Sequence, residues 1–289
     1  MAVGFFDRMS AGFELAQSSW QVLRQSKQLI VFPILSGLGC LLVLASFALP
    51  FLAHPQWLDF LDPPAGQAMQ VPVWSYAILF AYYFCTYFVI VFFNAALVSC
   101  ALMSFHGEES TLGDGLRAAG LRLPQILAWA LVSATVGVLL KVLESAHERV
   151  GEIVSFLLGT AWTIMTFFVV PVLVVEKVGP FDAVGRSMSI LRKTWGEGLV
   201  GGMGIRFFLF LLGIPGIVLA ILGFMALAQA PAVGALLLVL AGLYYLGLLA
   251  VGSALDGIFL TALYQYAAFN QVPAAFDRGV LAHAFERKR

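Results

Sequence analysis

The chain has 289 residues, of which 61% are hydrophobic and only 11% are charged. Soluble domains carry about a quarter charged residues, so this composition, with a mean hydropathy of +0.94, predicts an integral membrane protein. The 16 basic and 16 acidic side chains leave no net field that would steer nucleic acid, which excludes a typical nucleic-acid-binding protein.

Residues 1–27, which include Asp7 and Glu14, precede the first apolar run, and no small-residue cleavage site closes that run. This is not the pattern of a cleavable signal, so we expect the first apolar segment to remain in the protein. A helix needs about 20 apolar residues to cross roughly 30 Å of hydrocarbon. Six transmembrane helices are therefore predicted, over 29–51, 73–105, 124–143, 153–175, 199–227 and 232–269.

The Lys and Arg residues are distributed unevenly among the connecting segments. With the N-terminus in the cytoplasm, the cytoplasmic segments hold Arg8, Arg24, Lys27, Arg117, Arg122, Lys177, Arg186, Arg192, Lys193, Arg278, Arg287, Lys288 and Arg289. The opposite side holds Lys141 and Arg149, and Arg206 falls inside a span. Positive residues are retained on the cytoplasmic side, so both termini are predicted to be cytoplasmic. The last apolar run is then one long helix whose end, with Tyr264 and Tyr266, projects on the cytoplasmic side.

Two polar stretches share one pattern, FFDRMSAGFELAQSSW near the N-terminus and PFDAVGRSMSILRKTW after the fourth span. In both, apolar residues recur at steps of three, four, three and four, which places them on one helical face. They are Phe6, Met9, Phe13, Ala16 and Trp20 in the first stretch and Phe181, Val184, Met188, Leu191 and Trp195 in the second. Asp7 and Asp182 each stand 13 residues before the closing Trp. Both stretches are predicted to be interfacial helices, and Arg186, Arg192 and Lys193 would face the cytoplasm.

The loop TLGDGLRAAGLRLPQIL fits this pattern less well, because Pro124 should interrupt the helix early. Aligned at Asp114, it completes three pseudo-repeats of one interfacial helix plus a helical hairpin, at about 5–105, 110–177 and 180–270. A basic cytoplasmic tail at 271–289 completes a single membrane domain over 1–289. Each aligned aspartate is expected to accept a backbone N–H at the start of its helix.

Three interpretations of the apolar faces remain open. The faces could pack on the protein's own helix ends, dock a partner, or lie in the lipid headgroup layer while the basic residues attract anionic lipid.

Three polar residues lie inside the predicted spans, namely Asn94, Arg206 and Asp256. Charges there are rare and usually have partners, so we predict an ion pair between Arg206 and Asp256 that joins the fifth and sixth helices. The pair would either fix the helix register or take part in transport or proton handling. Asn94 would either line the same interior or bond a neighbouring helix as a single buried amide.

The loop after the third span holds a cluster of ionisable residues, Glu144, His147, Glu148, Arg149 and Glu152. His147 and Glu148 resemble part of a zinc-protease motif, but Gly151 stands where the second His is required. We favour a solvated loop. The sequence contains no other catalytic motif, and it predicts no enzyme, no metal site and no cofactor.

Several strings between Trp20 and about Phe276 carry a family resemblance. They are SSWQVLRQSKQLIVFPILSG, VIVFFNAALV, GDGLRAAGLRLPQILAWALVSATVG, TFFVVPVLVVE and RSMSILRKTWGEGLVG. In these strings the chain resembles an uncharacterised family of bacterial integral membrane proteins, domain of unknown function 6159. More distantly, it is similar to the membrane domain found in front of some glycerophosphoryl diester phosphodiesterases. The resemblance implies this fold in the bacterial cytoplasmic (inner) membrane, and it transfers no functional residues.

The sequence thus predicts an all-α polytopic membrane protein with six transmembrane helices and three cytoplasmic amphipathic interfacial helices. Its expected partners are membrane lipids and an unidentified membrane protein, without nucleic acid. The expected function is that of a non-enzymatic scaffold or accessory factor in envelope or lipid homeostasis. The alternative is a carrier or channel for a small solute or lipid that uses Asn94, Arg206 and Asp256.

Overall fold

The structure, a computed structural model, describes residues 5–54, 72–146, 150–193 and 198–276. For 5–13, 145–146, 150, 152, 193 and 198–205 it describes the backbone alone. These described ranges form helices and no strand. The helices are α1 (Phe5–Gln25), a 3₁₀ helix (Lys27–Ile30), α2 (Val31–Ala53), α3 (Val73–Phe105), α4 (Leu112–Gly120), α5 (Leu123–Ala146), α6 (Val150–Met165), α7 (Val169–Val175), α8 (Pro180–Lys193), α9 (Gly198–Leu227) and α10 (Pro231–Phe269).

Six helical segments of the described chain are long and apolar enough to cross a membrane. They are Lys27–Ala53, Val73–Phe105, Leu123–Glu144, Ile153–Val175, Arg206–Leu227 and Pro231–Phe269. Each overlaps one predicted span, and many of their Leu, Ile and Phe side chains are exposed, as lipid-facing side chains are. The predicted all-α class, with six helices that are long and apolar enough to span a membrane, is therefore confirmed for the described residues.

Proline residues explain two of the helix boundaries. Pro124 is the second residue of α5, where its missing N–H is not needed, and α4 ends four residues earlier at Gly120. Pro171 has no N–H to donate to the carbonyl of Phe167, and the fourth span is interrupted there between α6 and α7. The predicted interruption at Pro124 is confirmed.

The chain divides into two compact units. The first contains the described parts of Met1–Ile34, Leu97–Gly115 and Ile190–Arg289. In this unit α9 and α10 pack as a helical hairpin joined by residues 228–230, and α1 packs against both helices.

The surroundings of α10 change along its 39 residues. Most side chains between Pro231 and Leu249 are exposed, whereas most of those in 250–265 are buried. The helix is about 58 Å long, and about 20 of its residues would suffice to cross the hydrocarbon. Tyr264 is fully buried in this second part, and the projection of this end of the helix on the cytoplasmic side stays a prediction. The apolar packing of the first unit surrounds it.

The second unit contains the described parts of Leu35–Ala96 and Leu116–Ser189. In it α5 packs against α6, and the rings of Trp129 and Trp162 stack with their centroids 5.6 Å apart. Val169, Pro171, Val172 and Leu173 of α7 are buried. Both compact units include parts of more than one predicted pseudo-repeat, and the division into three pseudo-repeats stays a prediction.

Candidate functional site

The α8 helix buries a face that its apolar pattern does not predict. Ala183, Ser187 and Ile190, spaced by four and three residues, are each at most 1% exposed. In the predicted apolar face, Phe181 is 79% exposed and Met188 is half-buried. At 100° per residue, the buried face lies roughly 100° around the helix from the predicted one. The helix therefore packs on one side and leaves part of its apolar side uncovered.

Ser187 contacts the point where the fourth span is interrupted. The backbone N–H of Phe168, the residue before α7, donates a hydrogen bond of 3.1 Å to the Ser187 hydroxyl oxygen. Both residues are buried. Because a buried N–H without a partner costs free energy, this bond stabilises both the interruption and the docking of α8.

Two arginine side chains end at the C-terminus of α7. The Arg122 Nε donates to the Val174 carbonyl oxygen at 3.2 Å. The Arg186 Nε donates to both carboxylate oxygens of Glu176, at 2.7 and 3.0 Å. The last carbonyls of a helix lack partners within it, and basic side chains satisfy them and suit the negative end of the helix dipole. Lys177 follows, with a left-handed φ of 60°.

The other residues predicted for the interfacial surface are only partly described. Asp182 and Arg192 are exposed on α8, and Trp20 of α1 is 37% exposed. For Phe6, Asp7, Phe13 and Lys193 the backbone alone is described, and Trp195 lies outside the described residues.

A reciprocal hydrogen-bond pattern caps the start of α4. The N–H and hydroxyl of Thr111 donate to Asp114 Oδ2 at 2.9 and 2.7 Å, and the Asp114 N–H donates to the Thr111 hydroxyl at 3.2 Å. This arrangement is a capping box, with aspartate at its third helical position. The prediction that Asp114 accepts a backbone N–H is confirmed. Asp182 occupies the same position in α8, two residues after Pro180.

When the three helices predicted to be interfacial are aligned at their aspartates, α8 has buried positions in common with each of the other two. The aligned buried pairs are Gly115 with Ala183, Ala119 with Ser187, and Leu15 of α1 with Ile190. These pairs stand one, five and eight residues after the aspartate. Two of these buried positions are thus common to α4 and α8 and one is common to α1 and α8, and the repeat stays a prediction.

The three polar residues predicted inside the spans do not form one bonded group. Arg206 acts electrostatically on Asp256, but in the described chain no ion pair within 4 Å joins them. Both side chains are exposed. Asn94 is half-buried and belongs to the other compact unit. A direct ion pair is not formed, and a shared role of the three residues stays a prediction.

The α9–α10 hairpin places both charges far from its turn. Arg206 stands 21 residues before Leu227, the end of α9, and Asp256 stands 25 residues after Pro231, the start of α10. At 1.5 Å per residue these separations are about 31 and 37 Å, equal to or above the hydrocarbon thickness. Charged side chains at that level reach the headgroup layer.

A hydrogen-bonded seam in the first unit was not predicted. The hydroxyl oxygens of Ser26 and Ser104 are 2.9 Å apart. Gln28 Nε2 donates to the carbonyl and hydroxyl oxygens of Ser110, at 2.6 and 3.0 Å. The seam joins the 3₁₀ helix to the segment around the end of α3. Isolated Ser and Gln residues carry no periodic signal, so the sequence offers no means of finding these partners.

The described residues contain no group of three or more His, Cys, Asp or Glu side chains that could hold a metal ion. In the cluster after the third span, Glu144 pairs with Lys141 at 3.2 Å, and both side chains are exposed. His147, Glu148 and Arg149 lie outside the described residues.

The described part of the chain defines an all-α fold with six helices that are long and apolar enough to cross a membrane. Residues 73–273 match a family of unknown function, DUF6159. The match covers more than half of the chain, so the chain belongs to this family, as its sequence resemblance indicates. No curated protein and no solved structure matches it, and the comparisons do not show the likeness to the membrane domain of glycerophosphoryl diester phosphodiesterases.

Proposed function

We propose that the chain is a non-enzymatic protein of the bacterial cytoplasmic membrane, a scaffold or accessory factor in envelope or lipid homeostasis. Its termini and the helices α1, α4 and α8 lie on the cytoplasmic side. The observation that carries the proposal is the division of α8 into a buried and an exposed side. The buried side runs through Ser187, with Arg186 beside it, whereas Phe181 and Arg192 are exposed on another side, about 20° apart around the helix.

A helix divided in this way suits the surface of a bilayer. Apolar side chains enter the headgroup layer, while basic side chains remain in water and attract anionic lipid. The hydrogen bond from Phe168 to Ser187 and the ion pair between Arg186 and Glu176 attach α8 to the fourth span. This attachment supports a fixed surface, which a scaffold requires.

A carrier or channel that uses Asn94, Arg206 and Asp256 is the alternative. A transport path needs polar groups that face a wet cavity within the bilayer. Arg206 and Asp256 are exposed about 31 and 37 Å from the hairpin turn, a level at which a charge needs no such path. Their position favours the scaffold.

Copurification from the native bacterial membrane tests the scaffold. The full-length tagged chain, extracted in mild detergent, is expected to retain a membrane-protein partner in a fixed ratio. Asp256→Asn is expected to retain it equally, because Asp256 makes no direct ion pair. Uptake of a solute or lipid by proteoliposomes that Asp256→Asn abolishes, without any retained partner, would establish the carrier instead.

A further inference from the structure

Three cations meet at the C-terminal end of α7 in the second compact unit. Arg122 and Arg186 reach it from outside the helix, and Lys177 follows its last turn directly. Glu176 is the acidic partner that the ion pair with Arg186 brings to this end. We infer that this cluster binds the phosphate of an anionic phospholipid headgroup.

Both guanidinium groups are held in place and keep free donors. Each uses its Nε on the segment from Val174 to Glu176. The Nη groups of Arg186 and the Nη2 of Arg122 donate to no protein group within the described ranges. Arginine binds phosphate oxygens through such paired N–H donors, and a fixed guanidinium loses less side-chain freedom on binding.

Lys177 has a left-handed backbone conformation, which other residue types adopt more readily than lysine. The described residues with positive φ are Gly107 at 76°, Lys177 at 60° and Asn270 at 55°. Glycine and asparagine adopt this conformation readily, whereas a lysine is strained in it. Its exposed ammonium makes no hydrogen bond or ion pair with the described chain. Strain at a charged residue that adds no contact to the fold indicates a binding role.

Exposed apolar side chains accompany these cations and select a lipid as the ligand. Leu121, the neighbour of Arg122, is 68% exposed, and Phe181 is exposed on the helix that carries Arg186. A phospholipid presents a phosphate together with acyl chains, so it matches both parts of the surface. A soluble phosphate compound would leave the apolar side chains uncovered. The end of the fourth span also lies at headgroup level in the proposed topology.

Lipid titration of the full-length protein in detergent tests the site. Phosphatidylglycerol and zwitterionic phosphatidylcholine are titrated separately, and bound lipid is counted by native mass spectrometry. Phosphatidylglycerol is expected to bind more tightly. Lys177→Asn removes one charge but keeps a residue that tolerates positive φ, so the fold is retained. It is expected to weaken phosphatidylglycerol binding about fivefold, the contribution of one basic residue near an anionic lipid surface.

Lys141→Asn is the matched control, because it also removes an exposed lysine. Lys141 stands 19 residues after Arg122, which corresponds to about 28 Å of helix, so it lies away from the proposed site. It is expected to leave phosphatidylglycerol affinity unchanged. Equal affinities for the wild type and Lys177→Asn would overturn the site. Displacement of the lipid by glycerol 3-phosphate at comparable concentration would also overturn it, since the ligand would then be a soluble phosphate compound.

The inference rests on the interfacial position of α8 in the proposed function, but the two fail separately. If no partner copurifies while lipid binding follows the expected pattern, the scaffold is wrong and the lipid site stands. If a partner copurifies and lipid binding ignores Lys177, the lipid site alone is wrong.

Discussion

At the end of α7, substitutions of Lys177 measure how much one strained residue lowers the free energy of unfolding. Lys177→Gly is expected to raise the free energy of unfolding by about 1 kcal/mol, because glycine adopts a φ of 60° without a Cβ clash. Lys177→Ala removes the same charge and keeps the clash, so it is the control and should change stability little. The thermal unfolding midpoint in detergent gives the comparison. Equal midpoints for the two variants would show that this backbone is not strained.

The Ser187 hydroxyl tests the cost of a lost buried bond. Ser187→Ala leaves the Phe168 N–H without that acceptor, so the free energy of unfolding is expected to fall by about 1 to 3 kcal/mol. Ser189→Ala, at a half-buried position of the same helix, is the control and should have little effect. Chemical denaturation in mixed micelles measures both changes. A loss no larger for Ser187→Ala than for Ser189→Ala would contradict the role of the bond.

Local interactions at single residues are predictable from sequence, and tertiary ones are not. The hydrogen bond from the Thr111 N–H to the Asp114 carboxylate joins residues three positions apart, so a Thr followed by an Asp at that spacing predicts it. Ser187 and Phe168 are 19 residues apart, and nothing in either position signals the other. The same holds for Gln28 and Ser110, which are 82 residues apart.

At the scale of elements, the α9–α10 hairpin depends on glycine at its closest approach. A Cβ at Gly216 would stand 2.8 Å from the Tyr244 ring and 2.9 Å from the Tyr245 ring. The Tyr245 hydroxyl donates to the Gly213 carbonyl at 2.9 Å, which restricts movement of that ring. The two helices can therefore pack this closely only because position 216 lacks a side chain.

Gly216→Ala is accordingly expected to lower the free energy of unfolding by about 1 to 3 kcal/mol through overpacking. Gly242→Ala is the matched control, since no atom lies within 4 Å of its Cβ position. Alanine favours the helix over glycine by up to about 1 kcal/mol, so this control should be neutral or stabilising. Thermal unfolding of both variants decides the matter, and equal behaviour would show that the hairpin does not pack closely at position 216.

The sequence predicts the existence of the elements better than it predicts their buried faces. A run of about 20 apolar residues is long enough to cross the hydrocarbon, and as a helix it satisfies its own backbone hydrogen bonds there. All six spans are therefore predictable from length and hydropathy. On α8, apolar side chains are favourable against both protein and lipid, and periodicity does not distinguish the two surroundings. The buried face therefore runs through Ala183 and Ser187, while Phe181 of the predicted face is exposed.

At the scale of the whole molecule, charge and helix length lead to one orientation. The basic residues favour a cytoplasmic N-terminus. The first 20 residues of α10 suffice to cross the bilayer, and its buried remainder then continues on the side of the C-terminus. An even number of spans places both termini on the same side. The loop before α4 would thus be cytoplasmic, and the α9–α10 turn would face the opposite side.

Single-cysteine labelling in spheroplasts tests this orientation. In a background with Cys40, Cys85 and Cys100 replaced by alanine, Glu108→Cys and Gln229→Cys each introduce one exposed thiol. A membrane-impermeant maleimide is expected to label Gln229→Cys on intact spheroplasts and Glu108→Cys only after permeabilisation. The reverse pattern would place α4 and α8 outside the cytoplasm. Glu108 lies in the loop before α4, and two spans separate α4 from α8, so Glu108, α4 and α8 must lie on the same side of the membrane. Labelling of both cysteines from outside would require an even number of crossings between them, whereas the six-span topology places three there, so it would contradict that topology itself.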